Sequence, residues 1–172
     1  MQPLKDIDYK IISEYIKNSR ISDRELAKKV GVSQPTITRK RTIYEKERLL
    51  EYTSIPNFQK LGIEIMAFTF AVWSPEMLKN YPAEERIKKA QAFFSKHPNV
   101  IFASSGRGLG MGRMMVSFHK NYSDYVEFFK QAEDGWAGLL ARLESFTISL
   151  KTDAIVVPLS FKRSGEYLGK TE

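Results

Sequence analysis

The chain has no cysteine, so disulfides, thiolate metal sites and cysteine nucleophiles are all excluded. With only two histidines in 172 residues, a metal cluster or a catalytic triad also lacks its parts. No apolar stretch approaches the ~20 residues of a membrane-spanning helix, and the opening MQPLKDIDYK has no signal-like core. These absences lead us to expect a cytoplasmic protein with no membrane partner and no cofactor. A further gap is local. Between Leu26 and Tyr44 there is no acidic residue, while Lys28, Lys29, Arg39, Lys40 and Arg41 all fall there.

Cation excess is present throughout. The formal net charge is +7, and the first 55 residues hold 12 basic against 8 acidic residues. Such a balance favours a polyanionic partner. The chain is long enough for one ordinary domain or two small ones, and we read two: residues 1–55, a linker over 56–62, and a second domain over 63–165.

The stretch from Ile21 to Arg48 organises the first of these. Ser22 and Glu25 have the spacing of a capping box, and Ile21 and Leu26 that of a hydrophobic staple. Gly31 suits a left-handed helix end, and Ser33 with Pro35 suits the start of the next helix. Upstream, Leu4, Ile7, Ile11, Tyr15 and Ile16 recur at helical spacing, which predicts a third, amphipathic helix. The result is a helix-turn-helix, with a small wing expected over 49–53. Ser33, Gln34, Thr36, Thr38, Arg39 and Lys40 fall where a recognition helix meets DNA, and Lys28 and Lys29 are placed for phosphates.

After Pro56 the pattern becomes strand-like. We expect strands over 63–73, 100–105, 114–119, 146–151 and 154–161. Helices are expected over 84–96 and 122–133, with Tyr122, Val126 and Phe129 facing inward. Residues 136–143 fit either helix or loop. This is the ferredoxin-like split βαββαβ order, so the fold class is α+β. Both sides of the first strand are apolar. One side is therefore expected to be buried by a second subunit, giving a homodimer or higher homo-oligomer. Residues 106–113 form a glycine-rich loop without the Lys-Ser/Thr of a phosphate-binding P-loop. His97 and His119 are read as surface or boundary residues, and Trp73 and Trp136 as core or interface.

Carried by LKDIDYKII at the start, the Arg20–Ser33 segment RISDRELAKKVGVS and the Leu61-Gly62 pair, the chain resembles the prokaryotic Lrp/AsnC (feast/famine) regulators, of archaeal type. That resemblance implies a winged helix-turn-helix followed by a βαββαβ (RAM-type) effector and oligomerisation domain. It also implies double-stranded DNA as partner and no enzymatic activity. It places an effector site at Gly106, Arg107, Gly108, Gly110, Gly112 and Arg113, with an amino acid as ligand left open. Three positions depart from the family: Arg41 and Tyr44 stand where apolar residues are usual, and Arg48 where glycine is usual. The loop also lacks the family's acid. Two alternatives stay open, a siroheme-decarboxylase-like enzyme on the same frame and an oligomerisation partner that does not bind DNA.

Overall fold

The structure is a computed structural model and describes residues 3–152 and 155–169. Its contacts divide the chain into two compact units, one of residues up to Ile55 together with those from Val157 onward, the other Pro56–Val156.

The first unit holds α1 (Asp6–Lys17), α2 (Asp23–Val30), α3 (Gln34–Lys46) and α7 (Lys162–Leu168). The expected capping box forms: Ser22 N donates to Glu25 Oε2 at 3.1 Å, and Glu25 N donates to Ser22 Oγ at 3.2 Å. Gly31 ends α2 at φ 81°, a backbone region that favours glycine. Ile11, Ile12, Tyr15, Leu26, Ala27, Ile37 and Tyr44 form the core. The wing does not form. Residues 50–57 carry no strand, although Tyr52 sets its ring edge-on to Tyr15 at 6.2 Å.

The unit also contains a helix that sequence periodicity missed. Where a fifth strand was expected over 154–161, residues 155–161 are irregular, and Ala154 lies outside the described residues. Pro158 has no N–H for a ladder, and the sheet is already complete with four strands. The chain then forms α7, packed on α1 through two glycines. The Ser13 hydroxyl donates to Gly165 O at 2.6 Å. Residues 157–165, assigned from sequence to the second domain, thus belong with the first unit.

The second unit holds a short 3-10 turn (Gln59–Leu61), β1 (Ile65–Trp73), α4 (Pro75–Asn80), α5 (Ala83–Phe94), β2 (Val100–Gly108), β3 (Met111–His119), α6 (Tyr122–Gly135) and β4 (Leu140–Ser149). The antiparallel sheet has the order β2-β3-β1-β4, the ferredoxin-like arrangement. The undecided stretch is a turn leading into β4. The glycine-rich loop is far shorter than expected, because the strands run on until only Leu109 and Gly110 connect them. Both have positive φ, 53° and 69°, as a mirror-image hairpin turn requires. The sequence assigned to the linker is structured: Phe58 stacks on Phe118 at 4.1 Å.

On one sheet face α6 buries Tyr125, Phe128 and Ala132, not the expected Tyr122 and Val126, which are exposed. The helix is turned because His119 and Met115 on β3 accept the Tyr125–Phe128 edge. His119, expected at the surface or a boundary, is 1% exposed, with the Tyr125 and Phe128 rings 5.4 and 5.1 Å away. On the other face Phe102, Val116, Phe68 and Phe146 form one row across all four strands. Phe146 is 66% exposed. Among the described residues no helix is long and apolar enough to cross a membrane.

Candidate nucleic-acid interface

The polar positions on α3 are assigned by what surrounds the helix. Ser33 caps it, its hydroxyl 2.8 Å from that of Thr36. Ile37 and Tyr44, seven apart, face the core. On that inward side two carboxylates organise the unit, Asp8 buried and Asp23 half-buried. Asp8 accepts from Lys5 N at 2.8 Å, from the Tyr44 hydroxyl at 2.6 Å and from the Lys40 ammonium. Burial alone would raise the Asp8 carboxyl. The hydrogen bonds from Lys40, Tyr44 and Lys5, with the Lys40 charge, outweigh it and hold the group below the usual carboxylate range. Asp23 accepts from Tyr15 at 3.2 Å, Thr38 at 2.6 Å and Arg41 at 2.8 Å. Burial, reinforced by the Asp23 charge and hydrogen bond, pushes the Tyr15 hydroxyl up to about 12.

Two of the three departures from the family pattern are thereby explained. Arg41 and Tyr44 are the partners of Asp23 and Asp8, so polar contacts to carboxylates stand where apolar packing is usual. The third, Arg48, holds φ 55°, the conformation that glycine would supply. Its N–H reaches Glu45 O at 3.1 Å and Leu49 N reaches Tyr44 O at 2.8 Å, closing a Schellman motif with a non-glycine C′ residue.

The residues nominated for DNA separate accordingly. Lys40 is turned inward on Asp8, and Lys29 is paired with Glu14. Thr36 and Thr38 are tied to Ser33 and Asp23, although Thr38 remains on the surface. Gln34, Arg39 and Lys28 are exposed, and their side chains make no hydrogen bond or ion pair among the described residues. Thr42 and Lys46 share the exposed face with Gln34, Thr38 and Arg39. Sequence reasoning passed over both, though Lys46 lies seven residues from Arg39 and a helical count would have found it. The surface is thus a polar and basic strip along a capped helix, able to offer donors to base edges and phosphates.

The nominated effector residues do not come together. Gly106, Arg107 and Gly108 lie exposed on β2, Gly110 is in the turn and Gly112 is on β3. Of the set, Arg113 lines the cavity of about 480 Å³ between α5 and the sheet, and the other five do not.

Residues 4–40 match the family model described as winged helix-turn-helix DNA-binding. An uncharacterized HTH-type transcriptional regulator of Pyrococcus furiosus is 38% identical over 65 residues, 37% of this chain and 44% of that protein. The match therefore spans less than half the length of that relative. Over nearly the whole chain the fold is similar to three solved structures. An AsnC family transcriptional regulator from Agrobacterium tumefaciens aligns with TM-score 0.72 at 16% identity, covering 93% of this chain and 99% of that one. LrpC of B. subtilis aligns with TM-score 0.66 at 23% identity, covering 89% and 99%. A transcriptional regulator of Neisseria meningitidis in complex with L-Met aligns with TM-score 0.71 at 16% identity, covering 91% and 97%. The class defined by the fold is an α+β chain with a helix-turn-helix unit and a four-stranded ferredoxin-like sheet. Its architecture is that of the AsnC and Lrp transcription regulators.

Proposed function

We propose that this protein is a sequence-specific DNA-binding transcription regulator of the Lrp/AsnC type. The observation that carries this reading is the division of charge on α3. Lys40 and Arg41 are paired with Asp8 and Asp23 of the same unit, while Gln34, Thr38, Arg39, Thr42 and Lys46 are left on one solvent face with Lys28 nearby in sequence. The helix-turn-helix match and the regulators among its relatives support it. The protein acts as a homodimer or higher homo-oligomer. The apolar row Phe102–Val116–Phe68–Phe146 supplies the natural joining surface, and two recognition helices then read successive major grooves. A small-molecule effector modulates it from the second unit.

The test is fluorescence anisotropy with DNA from upstream of the protein's own gene against scrambled duplex, over a range of salt. A preference for the native fragment that survives rising salt is expected. Arg39→Ala lowers affinity by roughly five- to a hundred-fold, and a smaller salt slope in that variant marks a phosphate contact. Lys40→Ala, by contrast, acts on folding. No binding of either duplex at low salt would sink the regulator and bring forward the enzyme or the non-binding partner subunit.

A further inference from the structure

The cavity between α5 and the sheet has a composition that defines a ligand. Its floor is made of small residues, Thr69 and Ala71 on β1 and Ala103 on β2, under Ala90 of α5. Side chains this small cannot fill the space between helix and sheet, which is why about 480 Å³ stays open. That is within the range of small-molecule sites. Trp136, Phe94 and Leu143 wall one part of it with apolar surface.

The polar end is cationic without a counter-charge. Arg86 and Arg113 both line the cavity, and among the described residues no aspartate or glutamate does. Neither arginine forms an ion pair among the described residues; Arg86 donates to Tyr81 O at 2.9 Å, and Arg113 to Gly112 O. Burial first, and the Arg86 charge second, push the Arg113 guanidinium below its ordinary range, as expected of like charges drawn together in a partly dry site. Arg113 lies over the Trp73 ring, 5.5 Å from its centroid. The Trp73 indole N–H is buried with no acceptor among the described residues. Two unpaired guanidiniums lining one cavity call for an anion. The register sets Ser105 opposite Arg113, adding a hydroxyl to that end.

We infer that this cavity binds a small carboxylic acid with an apolar or aromatic body and no ammonium group. The carboxylate sits between Arg86 and Arg113, and the body lies against Trp136 and Phe94. A free α-amino acid fits less well, because its ammonium would enter a cationic end that has no acid to receive it. The use of this ligand as a regulatory signal rests on the transcription-regulator reading, whereas its binding does not.

Trp73 and Trp136 are the two tryptophans of the chain, and both line the cavity, so indole fluorescence reads the site directly. The full-length protein is titrated with 3-phenylpropionate, with L-phenylalanine (the same skeleton plus an ammonium) and with 3-phenylpropan-1-ol (the same body without the charge). A saturable change with the acid is expected, with affinity roughly ten-fold or more above that of either comparator, the scale of one charge-assisted contact. Arg113→Met should lose about ten-fold or more for the acid, and Arg86→Met a comparable or smaller factor. The exposed Lys130→Met should lose nothing. Circular dichroism checks that the variants fold; should Arg113→Met fail, Arg86→Met and the three-ligand comparison still decide. Equal binding of acid and alcohol, binding of L-phenylalanine as tight as the acid, no response to the acid up to about 10 mM, or undiminished affinity in both folded arginine variants would each overturn the assignment. DNA anisotropy without ligand is unaffected by any of these outcomes, so failure of the cavity and failure of the regulator are distinguishable.

Discussion

The Tyr44 hydroxyl donates to Asp8 Oδ1 at 2.6 Å, joining the start of α1 to the last turns of α3 across 36 positions of sequence. Asp8 is 6% exposed and also holds Lys40. A carboxylate this buried is retained only where its oxygens are satisfied. Tyr44→Phe keeps the ring and removes the donor, and should cost about 1–2 kcal/mol in urea unfolding. Asp8→Asn also strands the Lys40 charge and should cost more, about 2–3 kcal/mol. Because the folded Asp8 pKa is depressed, its stabilisation is present above the unfolded value and is lost as pH falls through the folded one. The Asp8→Asn protein should therefore show a shallower loss of stability below about pH 4. Equal acid slopes would contradict this account.

Arg48 occupies a left-handed conformation, at φ 55°, that costs a residue with a Cβ about 1 kcal/mol. Replacing it by glycine removes that strain but loosens the unfolded chain, so Arg48→Gly should raise stability by only about 0.5–1 kcal/mol. A thermal melt reading a lower Tm would show that the side chain contributes something the helix end does not reveal.

Gly165 permits close packing of α7 on α1. A Cβ there would come within 2.7 Å of Ser13 O and 3.2 Å of Ile16 Cβ. Since Ser13 O is backbone, the helices must separate to make room. Gly165→Ala should destabilise the first unit by about 1–3 kcal/mol despite alanine's better helix propensity. Hydrogen exchange in α1 is the direct readout, and unchanged protection there would refute the packing argument.

His119 lies between Ser117, 2.9 Å from its Nε2, and the Tyr125 and Phe128 rings. Burial pushes its pKa down, and Asp124, 4.0 Å from Nδ1, only partly opposes this. The folded state thus keeps the ring neutral while the unfolded chain takes a proton near pH 6.5. Stability contributed by the neutral ring is intact above that pH and falls as pH drops below it, by up to ~1.4 kcal/mol per unit for each such histidine. His97, lowered first by burial and then by Lys96, adds in the same sense. Urea midpoints at pH 5 and 7.5 should differ less in His119→Phe than in the parent, and an equal difference would rule His119 out as a source.

The first three helices of the chain were legible because their signals are local. A serine cap, a glycine stop and a 3.6-residue period act within a few residues, and Ser22, Gly31 and Ser33 behave as their chemistry dictates. The strand order was legible from alternation and spacing. The fifth strand misled, since Val156, Val157 and Leu159 look strand-forming, and nothing local says that the sheet already has its four strands. The glycine loop misled in the same way. Its strands extend because β2 and β3 continue to pair, and pairing is a property of two segments.

At the candidate interface the residue types were readable and their assignments were not. The sequence alone determined that α3 would be capped, basic and free of acid as far as Tyr44, because those are matters of composition and neighbouring positions. Only the tertiary structure decided that Lys40 and Arg41 are bound to Asp8 and Asp23 while Arg39 is free. Those acids lie on other helices, and a charge is neutralised by what is near it in space. The same reason separates Arg107 from Arg113. Six residues apart in one loop-like stretch, they part because Arg113 faces a cavity whose size is set by alanines on two strands and a helix.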